Sequence, residues 1–299
     1  MNAPSHVGPP KPALYVVATP LGNLEDLSSR AAQILRSVPC VAAEDTRVTR
    51  TLLAHLGVRP EIFPAHAHNE EAATEQILLR LQAGQAVALV SDAGTPAISD
   101  PGAKVVAAAH AAGFAVIPIP GPSAVTTLLS AAGLEGEGFR FVGFLPSAPG
   151  ARRRRLGDLA IDPAILVFFE APHRIDDCLA ALVEAFGAER PMAIGRELSK
   201  RFEEIARMPL GQSREWLESN GQRSRGEFTL AVAGAPGRRS LAQVRDETPM
   251  DAVFEAMVDR LLRTLAAEFP SATAARLAAK VLARPRADLY RRLLELTGR

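Results

Sequence analysis

Two α/β domains followed by a small helical module is the architecture predicted by the sequence, and three observations predict it. Short apolar runs alternate with helical stretches as far as Pro122, the pattern of a parallel-rich α/β sheet. The alternation restarts after Gly121-Pro122, and strand signal stops at Gly234-Ala235-Pro236-Gly237. At 299 residues and 47 % hydrophobic, the chain can bury large cores yet is long for one compact unit. The predicted domains are therefore 13–122, 123–236 and 250–299.

The opening run Leu-Tyr-Val-Val-Ala-Thr, residues 14–19, reads as a strand stopped by Pro20; Leu21-Gly22-Asn23 makes a loop and Glu25-Asp26 an acidic helix start. Further strands are predicted at 40–43, 86–91 and 115–119, with helices at 46–55, 70–83 and 103–112 between them. In the second domain, strands are predicted at 140–144, 164–169, 191–196, 203–208 and 228–233, and helices at 152–160, 174–186 and 209–219. Residues 250–299 read as three helices.

Composition excludes several classes. Residues 1–12 are polar and proline-rich, and no apolar stretch approaches the roughly 18 residues of a membrane span, so a cytoplasmic protein without a membrane partner is expected. Cys40 and Cys178 stand alone with no CxxC spacing, which leaves neither a disulfide framework nor a cysteine zinc site and makes both packing residues. The net charge of +1 argues against a uniformly basic coat for nucleic acid, although four of the 34 basic residues are lysine and the rest arginine. Arginine forks suit phosphates, and a GC-rich genome gives the same bias.

Two strand ends carry the strongest local signal. Leu89-Val90-Ser91-Asp92-Ala93-Gly94-Thr95-Pro96 is an apolar run that ends in small residues, which lets a ligand approach the main chain. Pro118-Ile119-Pro120-Gly121-Pro122-Ser123-Ala124 repeats the design, with Ser123 as helix cap or ligand donor. No G-x-G-x-x-G follows the first strand, so a dinucleotide-binding enzyme is not expected. His66 and His68, two apart, would share one face of a strand, but no third ligand accompanies them and no metal is expected.

Together with these loops, Thr19-Pro20-Leu21-Gly22-Asn23-Leu24, Ala43-Glu44-Asp45-Thr46-Arg47, His68-Asn69-Glu70, Asp100-Pro101-Gly102, Gly143-Phe144-Leu145-Pro146, His173-Arg174, Arg196-Glu197-Leu198-Ser199-Lys200 and Gly226-Glu227 resemble the ribosomal RNA small-subunit methyltransferase I family over about residues 13–235. Ser199 stands where that family leads one to expect threonine. The resemblance implies two α/β domains of the tetrapyrrole-methylase type, S-adenosylmethionine in the cleft between them, a homodimer, and 2'-O-methylation of a cytidine in 16S ribosomal RNA, within the small subunit. It implies a cofactor site of Pro20, Leu21, Asp92, Ala93, Gly94, Thr95 and Ser123 facing Phe144, Phe169, Arg196, Phe228 and Thr229.

Methyl transfer from a sulfonium needs alignment and loss of the hydroxyl proton. The carboxylates and histidine beside the cleft loops are the candidate bases: Asp45, Glu170 and His173, with Glu44 next to them. Arg47, Arg152, Arg153 and Arg174 are the candidate RNA contacts, the run of four arginines at 152–155 being either a solvated helix face or a phosphate track. Residues 268–299 hold seven basic and three acidic residues, and their helix, turn and helix resemble a helix-turn-helix unit for RNA docking, or else a dimer-stabilising cap. The alternatives are a tetrapyrrole methyltransferase and a non-catalytic ribosome-assembly protein of the same fold.

Overall fold

The computed structural model describes residues 10–235, 249–282 and 284–297; the polar opening to residue 9, the Pro236-Gly237 break, Ala283 and Arg299 lie outside the described residues. Five short apolar runs form the first sheet: β1 (Leu14–Val17), β2 (Cys40–Ala43), β3 (Glu61–Pro64), β4 (Val87–Val90) and β5 (Val116–Ile119). All its pairings are parallel, in the order β3-β2-β4-β1-β5. The helices α1 (Ser29–Ser37), α2 (Thr46–His55), α3 (Glu70–Gln82) and α4 (Ala103–Ala111) connect them.

Strand side chains alternate, so each strand feeds two cores. Tyr15 and Val17 join Leu35 of α1 and Leu53 of α2 on one face, while Leu14 joins Ile77 of α3 and Val105 of α4 on the other. Neighbouring strands β1 and β4 therefore send their helices, α1 and α4, to opposite faces. Such a reversal opens a crevice beyond the carboxyl ends of the two strands.

The second sheet contains β6 (Phe139–Phe144), β7 (Ile165–Glu170), β8 (Pro191–Arg196), β9 (Glu204–Pro209) and β10 (Phe228–Val232), in the order β6-β7-β10-β8-β9, with only β6 and β7 parallel. The helices α6 (Pro149–Leu159), α7 (Ile175–Phe186) and α8 (Ser213–Glu218) cover one face through Leu156, Leu179, Leu182 and Leu217. The opposite face is covered by α5 (Ala124–Ala132), whose Val125 and Leu128 pack with Val167, Ala193 and Ala231, and with Leu21 from the loop after β1. This helix leaves the first sheet and packs on the second, so it couples the two.

Residues 236–299 belong to a separate compact unit. Within it α9 (Pro249–Glu268), α10 (Ser271–Leu282) and α11 (Arg286–Thr297) bury Val258, Leu262, Ala274, Ala278, Leu289 and Leu293 together. Arg284 pairs with Glu255, and Arg292 with Glu255 and Asp259, so two of the tail's arginines fasten its helices to α9. Among the described residues no helix is long and apolar enough to cross a membrane.

Several elements differ from expectation. The edge strand β3 carries Glu61 and Pro64 within four residues and has no apolar run to betray it. It ends before His66, so His66 and His68 lie in a loop, their rings 6.1 Å apart and edge to face, and not on one strand face. Glu25 and Asp26 form a 3-10 turn; α1 starts later because Ser28 accepts a hydrogen bond from the Ala31 N–H. In α6 the start moves back to Pro149, which suits a first helical position. Helix α8 is shorter than 209–219 because 210–212 is a 3-10 turn.

Leu128 is fully buried at the junction of the two sheets. Leu128→Ala should lower unfolding free energy by roughly 2–5 kcal/mol, the usual cost of such a cavity. Urea denaturation measures it, and a loss no larger than for half-buried Leu129→Ala would show that α5 does not couple the sheets.

Candidate active site

Main-chain groups floor the crevice. Thr19 and Gly94 exchange N–H···O bonds of 2.9 and 3.0 Å, and the Thr19 hydroxyl donates to the Ser91 carbonyl at 3.1 Å. The Thr95 hydroxyl donates to the Pro122 carbonyl at 3.2 Å, drawing the end of β5 against that of β4. Gly94 has φ +81°, and a Cβ there would stand 3.4 Å from Leu21 Cδ2. Only glycine adopts that backbone without strain and leaves the space above it open. Ser123 occupies the N-cap of α5, but its side chain makes no capping bond.

Beside this floor lies a cavity of about 560 Å³, lined by Leu21, Asn23, Asp26, Pro122 and Thr127 on the first side and by Ser199, Lys200 and Glu203 on the second. The Ser199 hydroxyl donates to the Asp26 carboxylate, and Lys200 is held by Glu197 and Glu227 at 3.1 Å each. Gly22 admits the lysine stem, because a Cβ there would overlap Lys200 Cγ. Among the described residues the non-glycine positions with left-handed φ are Ala97, Ser99, Glu197 and Ser199, all in loops at the ends of β4 and β8. Backbone strain of this kind costs on the order of 1–3 kcal/mol per residue and concentrates at functional loops.

The carboxylates at the ends of β2 and β4 interlock. The Asp92 carboxylate accepts from the Asp45 N–H at 2.9 Å, and the Glu44 carboxylate accepts from the Asp92 N–H at 3.3 Å. Asp45 caps α2 through the Arg47 N–H and receives the Arg47 guanidinium, which holds its carboxyl down to about 2. Burial raises Glu44, with neighbouring Asp92 and Asp45 charges adding to it. Burial also raises Asp100 to about 6, helped by the charge of Glu44. Asp100 was visible in the sequence only as part of Asp-Pro-Gly, and Lys200 only as the end of a motif; neither spacing shows that the fold turns them inward.

Strand parity sorts the residues from the second sheet. Phe169 and Thr229 pair in register and lie on the α5 face, next to Phe141. Phe228 lies on the opposite face, packed in the core under α6 and α7, and its partners in register, Glu170 and Arg196, share that face. The structure thus brings Pro20, Leu21, Asp92, Ala93, Gly94, Thr95 and Ser123 together around one crevice and separates Phe228, Arg196 and Glu170 from Phe169 and Thr229. The Glu170 side chain is 0 % exposed and pairs with Arg174 at 3.1 Å. His173 is exposed in a 3-10 turn.

Most of the selected arginines bind the protein itself. Arg196 donates to the carbonyls of Arg225, Phe202 and Gln222; buried Arg152 donates to those of Pro146 and Ser147; Arg174 donates to that of Leu145. Arg152 and Arg174 therefore staple the turn after β6 and do not present their guanidinium groups to solvent as a phosphate track would. Arg153 pairs with Glu184 on the surface, and Arg47 is exposed beside Asp45.

Residues 13–213 match the family of Tetrapyrrole (Corrin/Porphyrin) Methylases, and residues 252–297 match the RsmI C-terminal HTH domain. Solved structures agree on the fold: the methyltransferase CobJ, at 18 % identity, superposes with a TM-score of 0.56 over 76 % of this chain and 96 % of its own. Uroporphyrin-III C-methyltransferase from Thermus thermophilus, complexed with S-adenosylhomocysteine, gives 0.54 at 21 % identity over 74 % of this chain and 97 % of its own. The fold is that of a tetrapyrrole methylase. Proteins named ribosomal RNA small subunit methyltransferase I are 45 % identical in Xylella fastidiosa, over 93 % of this chain and 97 % of theirs, and 46 % identical in Mesorhizobium japonicum, over 96 % and 93 %. The chain belongs to the ribosomal RNA small subunit methyltransferase I family.

The raised carboxyl of Asp100 makes a testable cluster. In carboxyl-detected NMR Asp100 should titrate near 6, and should move toward the ordinary range in Glu44→Gln. Because the folded state holds this proton more tightly than the unfolded one, stability falls as pH rises from roughly 4 to about 6. Asp100→Asn should remove that slope, and an ordinary Asp100 titration would mean the cluster is open to water.

Proposed function

We propose that this chain transfers a methyl group from S-adenosylmethionine to the ribose 2'-oxygen of a cytidine in 16S ribosomal RNA of the small subunit. The observation that carries the reading is the crevice floored by the Thr19–Gly94 backbone pair, in a chain whose near full-length relatives are named for ribosomal RNA methylation. Gly94 leaves a cradle that a Cβ would begin to fill, and Ser123 has a hydroxyl free of capping, so the residues suit a ligand with both apolar and polar parts. Pro20, Leu21, Ala93, Gly94, Thr95 and Ser123, with Phe169 and Thr229 across from them, would hold the cofactor. When bound, it supplies a methyl group activated by a sulfonium.

The chain's own part is to orient the ribose and to accept its proton. Asp45 is a weak acceptor, since Arg47 holds its carboxyl near 2. Glu170 is buried on the far face of its sheet. Glu44 is half-buried at the end of β2, with a raised proton affinity and a fixed orientation through the Asp92 N–H, so we assign the acceptor role to it. Burial sets that affinity, and the charges of Asp92 and Asp45 beside it add to it.

Glu44→Gln should cut the single-turnover rate on small subunits by roughly 10²- to 10⁴-fold, with cofactor affinity unchanged, and Asp45→Asn should do much less. Mass mapping of the ribosomal RNA reads both the site and the rate, and a full rate in Glu44→Gln would exclude that assignment. The absence of any ribose methylation by the unaltered protein would exclude the function.

The helical unit is proposed to dock RNA through Arg276, Lys280, Arg286 and Arg291, exposed cations on α10 and α11. Reversing three of them to glutamate should weaken subunit binding and flatten its salt dependence, measured by filter binding across a salt series. An unchanged slope would leave the unit with a structural role.

A further inference from the structure

We propose that Phe144 is the stacking platform for the nucleobase of the RNA target nucleotide, presented to the cleft by a bulge in β6. The proposal rests on the RNA-methylating reading above. In an unbroken strand Phe139, Phe141 and Gly143 would share one face and Phe144 would take the other. The β6–β7 register instead shifts between Phe141 and Gly143, so that Phe144 comes opposite Phe169. Gly143 adopts φ +74° to make the shift, as glycine does in bulges of this kind. Phe141 and Phe144 both end on the α5 face, with centroids 4.9 and 5.8 Å from that of Phe169.

The outer ring of this trio is 54 % exposed. The chain on both sides of it is tied down. The carbonyls of Leu145, Pro146 and Ser147 are held by Arg174 and Arg152, and the buried Glu170 carboxylate balances Arg174. On the other flank, a Cβ on Gly143 would meet the Ser99 hydroxyl oxygen at 3.1 Å, so the strained 97–99 loop, next to Asp100, lies against the bulge. An exposed aromatic ring whose backbone is pinned on both sides and whose inner edge rests on Phe169 loses little freedom when a flat partner covers it.

A nucleobase is the fitting partner, because every base offers a π-face and stacking on phenylalanine tolerates any of them. Two sources exist, the RNA and the adenine of the cofactor. The surroundings favour RNA: α6 begins five residues on from the ring, and Arg153, Arg154 and Arg155 are exposed in its first turns. Arg154 folds back over the start of the helix, its Nη1 3.8 Å from where a Gly150 Cβ would be, and so adds charge to the positive end of the helix. A polyanion gains from that field, whereas the adenine ring of the cofactor carries no charge for it to attract.

The test compares Phe144→Ala and Phe144→Trp with the unaltered protein, using unmethylated small subunits as substrate and S-adenosylhomocysteine as the cofactor probe in calorimetry. Phe144→Ala should raise KM for the subunit roughly five- to a hundred-fold, and Phe144→Trp should restore it. The dissociation constant for S-adenosylhomocysteine should stay within about twofold across the set, since stacking on RNA does not touch the cofactor. An unchanged KM in Phe144→Ala overturns the proposal. So does a weakened S-adenosylhomocysteine complex with normal KM, which would hand the ring to the adenine. If the unaltered protein transfers no methyl group to the subunit, the RNA-methylating reading fails first and takes the platform with it.

Discussion

Two backbone hydrogen bonds between Thr19 and Gly94 set the geometry on which the crevice depends. The carboxyl ends of β1 and β4 diverge, because their chains leave toward helices on opposite faces of the sheet. Left to side chains, such a gap would close over an apolar plug or fill with water. The paired N–H and C=O groups keep the ends together and satisfied, and Gly94 makes this possible by taking a conformation that other residues avoid. The hydroxyls of Thr19 and Thr95 then tie in Ser91 and Pro122, so three strand ends are joined by hydrogen bonds.

Much of the fold was legible in the sequence because the first sheet is buried on both faces. Runs such as Val87–Val90 are apolar throughout, and only a doubly covered parallel strand can afford that. The loops of the crevice were legible for a related reason: Ser91-Asp92-Ala93-Gly94 and Gly121-Pro122-Ser123 abandon bulk where the strands stop. Less was legible in the second sheet. A strand's sequence gives its alternation but not which face meets which neighbour, so it sets Phe169 and Thr229 apart from Glu170 and Phe228 without saying which set faces the crevice. The bulge in β6 adds a further shift that depends on Gly143 being read as a conformation and not as a gap.

The arginine richness of the chain has an architectural side. Arg152, Arg174, Arg190 and Arg196 all donate to main-chain carbonyls in loops. A guanidinium reaches several carbonyls from one fixed plane, which a lysine ammonium on a flexible stem does not do as well. Loops without regular hydrogen bonding thereby obtain partners for their backbone oxygens. The lysine that does occur at the crevice, Lys200, sits between two carboxylates as a point charge.

Helix α5 follows the first sheet in the chain but finds its packing partners, Ala193 and Ala231, on strands that come later. During synthesis the first sheet has all its strands once β5 has emerged, yet Val125 and Leu128 lack most of their cover until β7, β8 and β10 appear. For the span of roughly a hundred residues between them, an apolar helix waits at the edge of a finished sheet. The far wall of the crevice is thus postponed to the end of the second sheet, and a chain interrupted before β10 carries a complete first sheet with no closed site.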